Sequence, residues 1–168
     1  MKVLETERLV LRRLGTDDAA FILQLLNEPS WLNYIGDKSV RTVEDARNYI
    51  ENRPVAMYRR LGFGLYLVEL KGSGEPIGIC GLIKRESLEE IDLGFAFLPS
   101  FWGKGFAFEA AGAVMEYGRG AFGIPRLLAV TSQDNHVSVR LLEKLGFRFE
   151  RMARLESGAT EVKVFATS

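Results

Sequence analysis

Residues 90–110 read EIDLGFAFLPSFWGKGFAFEA, and the two halves of this stretch decide how the rest of the chain is read. Residues 90–98 are apolar and aromatic apart from Glu90 and Asp92, which is the composition of a buried strand. Pro99 stops it. Gly103 and Gly105 then stand just before a segment that reads as a helix to about Phe122. A glycine pair ahead of a helix lets the backbone approach a ligand closely, and the first N–H groups of the helix, unpaired within it, point at whatever lies there. The same pair also serves as a plain tight turn, so the loop alone leaves both readings open. It lacks the Lys-Ser/Thr pair of a triphosphate loop. Ala107 and Phe108 do not complete a G-x-G-x-x-G fingerprint, and the preceding strand belongs to a meander rather than opening a βαβ unit.

Upstream, GLYLVEL and PIGICGLIKRE flank the turn-rich KGSGE (71–75), which predicts an antiparallel hairpin over 64–86 that leads into the strand at 90–98. RLVLRRL (8–14) alternates apolar and basic residues and reads as an edge-like strand. TDDAAFILQLLN (16–27) reads as a helix capped by Thr16, with acids in its first turn and Pro29 closing it. TVEDARNYIENR (42–53) repeats that signal, with Thr42 and Asp45 as a capping-box variant, until Pro54 disturbs the pattern and Gly62 ends the region. Downstream, RLLAVTS (126–132) is a short buried strand and NHVSVRLLEKLG (135–146) a helix stopped by Gly146. FRFERMAR and TEVKVFA close the chain as two strands. The order predicts a mixed α/β (α+β) layer of helices on a central sheet.

At 168 residues and 47% apolar, the chain suits one domain with one core, residues 1–168. Its 22 basic and 22 acidic residues balance, which gives no general electrostatic reason to expect nucleic acid or an anionic membrane. No apolar run suits a signal peptide or a bilayer span, so a cytoplasmic location is expected. Cys80 is the only cysteine and His136 the only histidine, which argues against an internal disulfide or a metal site. Asp92 is a lone acid in an apolar run, costly to bury unless paired or left near water. It reads either as a general base or as an exposed or ion-paired acid.

Taken together, EIDLGFAFLPSFWGKGFAFEA and TSQDNHVSVRLLEKLGFRFE (131–150) resemble the acetyl-CoA-binding core of the GNAT superfamily of N-acetyltransferases, in its RimJ/RimL-like branch. LETERLVLRRLGTDDA (4–19) is similar to that branch's N-terminal strand and helix, so the resemblance covers about residues 4–150. It implies a mostly antiparallel sheet of about six or seven strands flanked by about four helices, splayed between the strands at 90–98 and 126–132. It further implies acetyl-CoA as co-substrate, with no metal. The family loop pattern maps onto Trp102, Gly105 and Ala107. Trp102 departs at a position that is elsewhere Arg or Gln, so the backbone amides of Gly103, Lys104, Gly105, Phe106, Ala107 and Phe108 would carry the pyrophosphate, helped by the Lys104 side chain.

The resemblance also implies that pantetheine pairs with main-chain groups near Phe97 and Leu98, and with the Asn135 amide, which is equally suited to cap a helix. Asp92 would take the amine proton. Leu142 occupies the usual position of an acidic Tyr, which leaves Ser138 as the nearest proton donor. Trp31 and Tyr34 would wall the acceptor channel, although aromatics at that spacing also pack on cores. The acceptor implied is a primary amine. An N-terminal α-amine of a peptide or protein fits somewhat better than a lysine, because near pH 7 about a tenth of it is neutral. Amino acids, polyamines and antibiotics are the alternative acceptors, and a homodimer is left open. The competing reading is an acyl-CoA-binding sensor or interaction module that has lost its chemistry.

Overall fold

The computed structural model describes residues 2–35 and 38–167, with the main chain alone at 33 and 34. Eight strands form one sheet: β1 (Lys2–Glu5), β2 (Leu9–Arg13), β3 (Leu65–Leu70), β4 (Pro76–Ile83), β5 (Asp92–Phe97), β6 (Leu128–Thr131), β7 (Arg148–Ala153) and β8 (Val162–Ala166). Their order is β1-β2-β3-β4-β5-β6-β8-β7. Every neighbouring pair is antiparallel except β5 and β6, which run parallel. The sheet is therefore one strand wider than the six or seven expected. The additional strand is β1, which pairs with β2 through a tight turn closed by the Thr6 N–H donating to the Leu9 carbonyl at 2.9 Å. This moves β2 inside the sheet. Its Leu9 and Leu11 are fully buried, so the reading of residues 8–14 as an edge is corrected.

The helices are α1 (Ala19–Leu26), α2 (Pro29–Tyr34), α3 (Val43–Ile50), α4 (Ala56–Leu61), α5 (Phe106–Phe122) and α6 (His136–Lys144). Pro29 opens α2 at its first turn, where its missing N–H costs nothing. The Thr42 hydroxyl accepts the Asp45 N–H at 3.0 Å while Asp45 accepts the Thr42 N–H, a complete capping box that stabilises α3 by about 1 kcal/mol. Pro54 does not break the helical path. Residues Glu51–Val55 widen into a π turn that accommodates its ring and leads directly into α4. Gly62, at φ 84°, then ends α4 in the left-handed conformation that glycine adopts freely.

Alternation along the strands divides the core into two layers. Leu67, Ile79 and Leu98 pack with Ile22, Trp31, Ala46 and Ile50, so α1 to α3 cover one face. Tyr66, Val68, Cys80, Leu82, Leu93 and Phe97 pack with Ala110, Ala111, Val114 and Leu142, so α5 and α6 cover the other. Each fully buried Leu, Ile or Phe contributes about 1.5–3 kcal/mol by leaving water. Among the described residues, no helix is long and apolar enough to cross a membrane.

Candidate active site

Strands β5 and β6 meet at one residue pair, Asp92 with Leu128, where the Leu128 N–H donates to the Ile91 carbonyl at 2.9 Å. Beyond that pair they diverge, which opens a V-shaped gap toward their C-terminal ends. The Leu98 N–H donates to the Ile77 carbonyl at 3.0 Å, so Leu98 belongs to a hydrogen-bonded pair of the β4–β5 ladder. Alternation then turns the main-chain groups of Phe95 and Phe97 to the opposite edge, into the gap. Of the two positions expected to meet a pantetheine arm, Leu98 is thus committed to β4. Phe97 faces the opening.

Both helices that follow these strands begin at the open end. Gly103 and Gly105 have φ of 74° and 81°, a region that side-chain-bearing residues rarely enter, and Gly105 is the N-cap of α5. Among the described residues, no side chain caps this helix. The first internal bond runs from the Glu109 N–H to the Gly105 carbonyl at 3.0 Å, and among the described residues the N–H groups from Gly103 to Phe108 have no internal acceptor. Six consecutive free amides at a helix N-terminus form an anion cradle. The glycines therefore make both a turn and a cradle. The Trp102 indole donates Nε1–H to the Phe97 carbonyl at 2.8 Å, so the residue that replaces Arg or Gln fastens the loop to the end of β5.

The cradle is braced by residues that the sequence reading did not connect. Glu109 accepts the Arg8 main-chain N–H at 2.9 Å, Arg8 Nε at 2.7 Å and the Thr6 hydroxyl at 2.5 Å. Arg8 Nη1 donates to the Lys104 carbonyl at 2.9 Å, and its guanidinium lies 4.3 Å from the Phe106 ring centroid. Burial pushes the Glu109 carboxyl up, but the hydrogen bonds from Thr6 and Arg8 together outweigh it and hold the group below the usual range. An acid one turn into a helix with a Thr-x-Arg turn upstream was the available signal. The separation of 101 residues between Arg8 and Glu109 hides it.

Asp92 lies at the apex of the gap, fully buried, with both carboxylate oxygens 3.2 Å from Arg85 Nε. Burial pushes its carboxyl up to about 6 against the opposing pull of Arg85. Ala96 and Leu98 alternate with it and pack on the α1–α3 side, so the Asp92 side chain points to that face. Glu90, the neighbouring acid, is 40% exposed and paired with Arg126 at 2.8 Å. The two acids are thus separated by environment.

Asn135 caps α6, its side-chain oxygen accepting the Ser138 N–H at 3.3 Å. Ser138 is half-buried in the first turn of α6, on the other side of the sheet from the Asp92 carboxylate. His136 is exposed. Leu142 packs in the core. Cys80 is fully buried, and burial pushes its thiol up, away from the nucleophilic thiolate. Trp31, expected to wall a channel, is 6% exposed and packs among Leu14, Ile22, Leu26 and Val40, so that expectation is corrected to a core role. The side chain of Tyr34 lies outside the described residues.

The free amides, the open strand edge and the Thr131 hydroxyl, buried at the end of β6 without a partner among the described residues, fit a long ligand with an anionic head and an amide-bearing arm. Residues 8–148 match the family model described as the acetyltransferase (GNAT) domain. The chain is 31% identical over 153 residues to the uncharacterized N-acetyltransferase YoaA of Bacillus subtilis, covering 90% of this chain and 86% of that one. Its fold is similar to that of an acetyltransferase from Agrobacterium tumefaciens, with a TM-score of 0.84 at 24% identity over 100% of this chain and 94% of that one. It is also similar to RimL, a ribosomal L7/L12 alpha-N-protein acetyltransferase solved with coenzyme A, with a TM-score of 0.82 at 19% identity over 99% and 97% of the two chains. A domain match across most of the chain, together with this architecture, makes the protein a member of the GNAT acetyltransferase family and an acetyl-CoA-dependent N-acetyltransferase.

Proposed function

We propose that the chain acetylates an N-terminal α-amine of a peptide or protein, or the α-amine of a small molecule, by direct transfer within the RimJ/RimL-like branch. The observation that carries this reading is Asp92, a buried carboxylate raised to about 6 at the point where the parallel strands part. The amide cradle from Gly103 to Phe108 suits the pyrophosphate of acetyl-CoA, with the Lys104 ammonium nearby, and the gap lined by the Phe95 and Phe97 main chain suits the pantetheine arm. Asp92 accepts a proton from the attacking amine, directly or through water, as the nitrogen bonds to the thioester carbon. A main-chain N–H of β5, that of Phe97 foremost, steadies the developing oxyanion, a term worth roughly 3–4 kcal/mol where comparable donors are removed. The carbon–sulfur bond then breaks, and the thiolate takes a proton from the α6 side, where Ser138 is the hydroxyl at hand. Base and acid on opposite faces of the sheet agree with an amine entering from the α1–α3 side while the thiol remains in the gap.

Release of free thiol from acetyl-CoA, followed across a panel of α-amines, tests the reading. Turnover with α-amines supports it. Thermal stabilisation by coenzyme A without turnover on any amine sinks it and leaves an acyl-CoA sensor.

A further inference from the structure

On the face to which Asp92 points, α3 and the π turn border an open cavity of about 330 Å³ lined chiefly by Lys38, Asn48, Tyr49, Asn52 and Arg53. Lys38 and Arg53 have no carboxylate within ion-pairing distance among the described residues, and the Arg53 guanidinium lies 5.8 Å from the Tyr49 ring centroid. Asp45, the one acid in the lining among the described residues, is taken up by the main-chain N–H groups of Arg41 and Thr42 at 3.0 and 3.2 Å. Arg85, which holds Asp92, bears electrostatically on both Lys38 and Tyr49. Burial lowers the Lys38 ammonium, Arg53 and Arg85 push it the same way, and Glu156 opposes them. Cations therefore gather on the side from which an amine would reach Asp92.

Resting on the acetyl-transfer reading above, we infer that this cavity receives a carboxylate carried by the acceptor, so that the preferred acceptors are small primary amines bearing a carboxylate group, with Arg53 and Lys38 as the receiving side chains. The planar fork of Arg53 matches a carboxylate through two parallel hydrogen bonds, and Lys38 adds a point charge. The same cations disfavour the ammonium form of the acceptor and so raise its reactive neutral fraction. They also repel a polyamine, which has positive charge at both ends. Ligand pockets span roughly 300–1,000 Å³, so a cavity of about 330 Å³ suits an amino acid or the first residue of a chain. The carboxylate comes from either of two sources: the α-carboxylate of a free amino acid, or the side chain of an acidic N-terminal residue.

The experiment compares kcat/KM for L-leucine with that for L-leucinamide, and for Asp-Ala-amide with that for Asn-Ala-amide, with putrescine as the dicationic control. The carboxylate member is expected to win by at least about tenfold in one arm, as charge-assisted hydrogen bonds allow, and the winning arm identifies the source. Arg53→Gln should bring that ratio toward one and Arg53→Lys should restore part of it, with the dissociation constant for coenzyme A unchanged in both. Arg53 is exposed, so the fold tolerates either change. Calorimetric binding of the matching N-acetylated compounds to the coenzyme A complex reads the same preference without turnover. Ratios near one in both arms and in binding, a preference for putrescine, or a preference that survives both Arg53→Gln and Lys38→Gln overturns the inference. Arg53-dependent binding of acetylated carboxylates with no turnover on any amine would sink acetyl transfer and leave the cavity standing as a carboxylate site. Turnover without preference would do the reverse.

Discussion

At Asp92, burial and pairing oppose each other, and burial prevails. The carboxyl is raised from its ordinary 3.8 to about 6 although Arg85 contacts both oxygens. A base must be ionised to work, so kcat/KM for an α-amine should fall as pH drops below about 6. Asp92→Asn should abolish that limb and lower the rate by roughly 10²–10⁴-fold under conditions where chemistry is limiting. The same shift has a stability signature. Between pH near 4 and near 6 the native state holds a proton that the unfolded chain has lost. The Asp92 contribution to stability is therefore greatest below that window and declines as pH rises through about 6, by about 3 kcal/mol in all, against the opposite slope of the depressed Asp18, Asp45 and Glu109 carboxyls. Denaturant unfolding at both ends of the window should show that slope as the difference between the wild type and Asp92→Asn, in which the other carboxyls cancel. The acid was legible in the sequence because it interrupts an apolar run. Its partner was not, because Arg85 lies in the connection after β4, where a basic residue looks like ordinary solvated surface. Asn135 was equally legible as a cap, and capping is the contact it makes.

Among the elements, the pairing of the β1–β2 hairpin with the start of α5 matters most for the site. Four hydrogen bonds tie Thr6 and Arg8 to Glu109 and the Lys104 carbonyl, with the Phe106 ring under the guanidinium. Glu109→Gln is expected to weaken coenzyme A binding roughly tenfold, the size of one or two partly exposed charge-assisted bonds, and calorimetry checks it. Arg8→Lys should not rescue the site, since a single ammonium cannot reach both the Glu109 carboxylate and the Lys104 carbonyl as the planar fork does. Strands and helices with strong periodicity, β3 to β5 and α3, α5 and α6, were readable with small differences at their ends. What escaped was short or irregular. The run KVLE is too brief to show alternation, α2 hides behind a proline that reads as a stop, and the π turn reads as a break because Pro54 has no N–H to continue an ordinary helix.

For the molecule as a whole, the gap between β5 and β6 is a place where the sheet is incomplete without a ligand. Coenzyme A at about a hundred times its dissociation constant should stabilise the native state by about 2.7 kcal/mol, read as a rise in the thermal midpoint. No stabilisation at any concentration would sink the cradle as a pyrophosphate site. The mostly antiparallel sheet with flanking helices was readable as a family resemblance. The cationic cavity was not, because its residues come from a loop, a helix and a π turn whose meeting no local pattern announces. The long tie between Arg8 and Glu109 has a further consequence in time. The hairpin secures a loop made about a hundred residues later, so the cradle is a product of late, non-local closure. In refolding, quenching or enhancement of Trp102 emission by coenzyme A should appear only with the slowest phase. Affinity for coenzyme A would then report a finished chain, and a nascent or partly folded one would not draw on the cell's acyl donor.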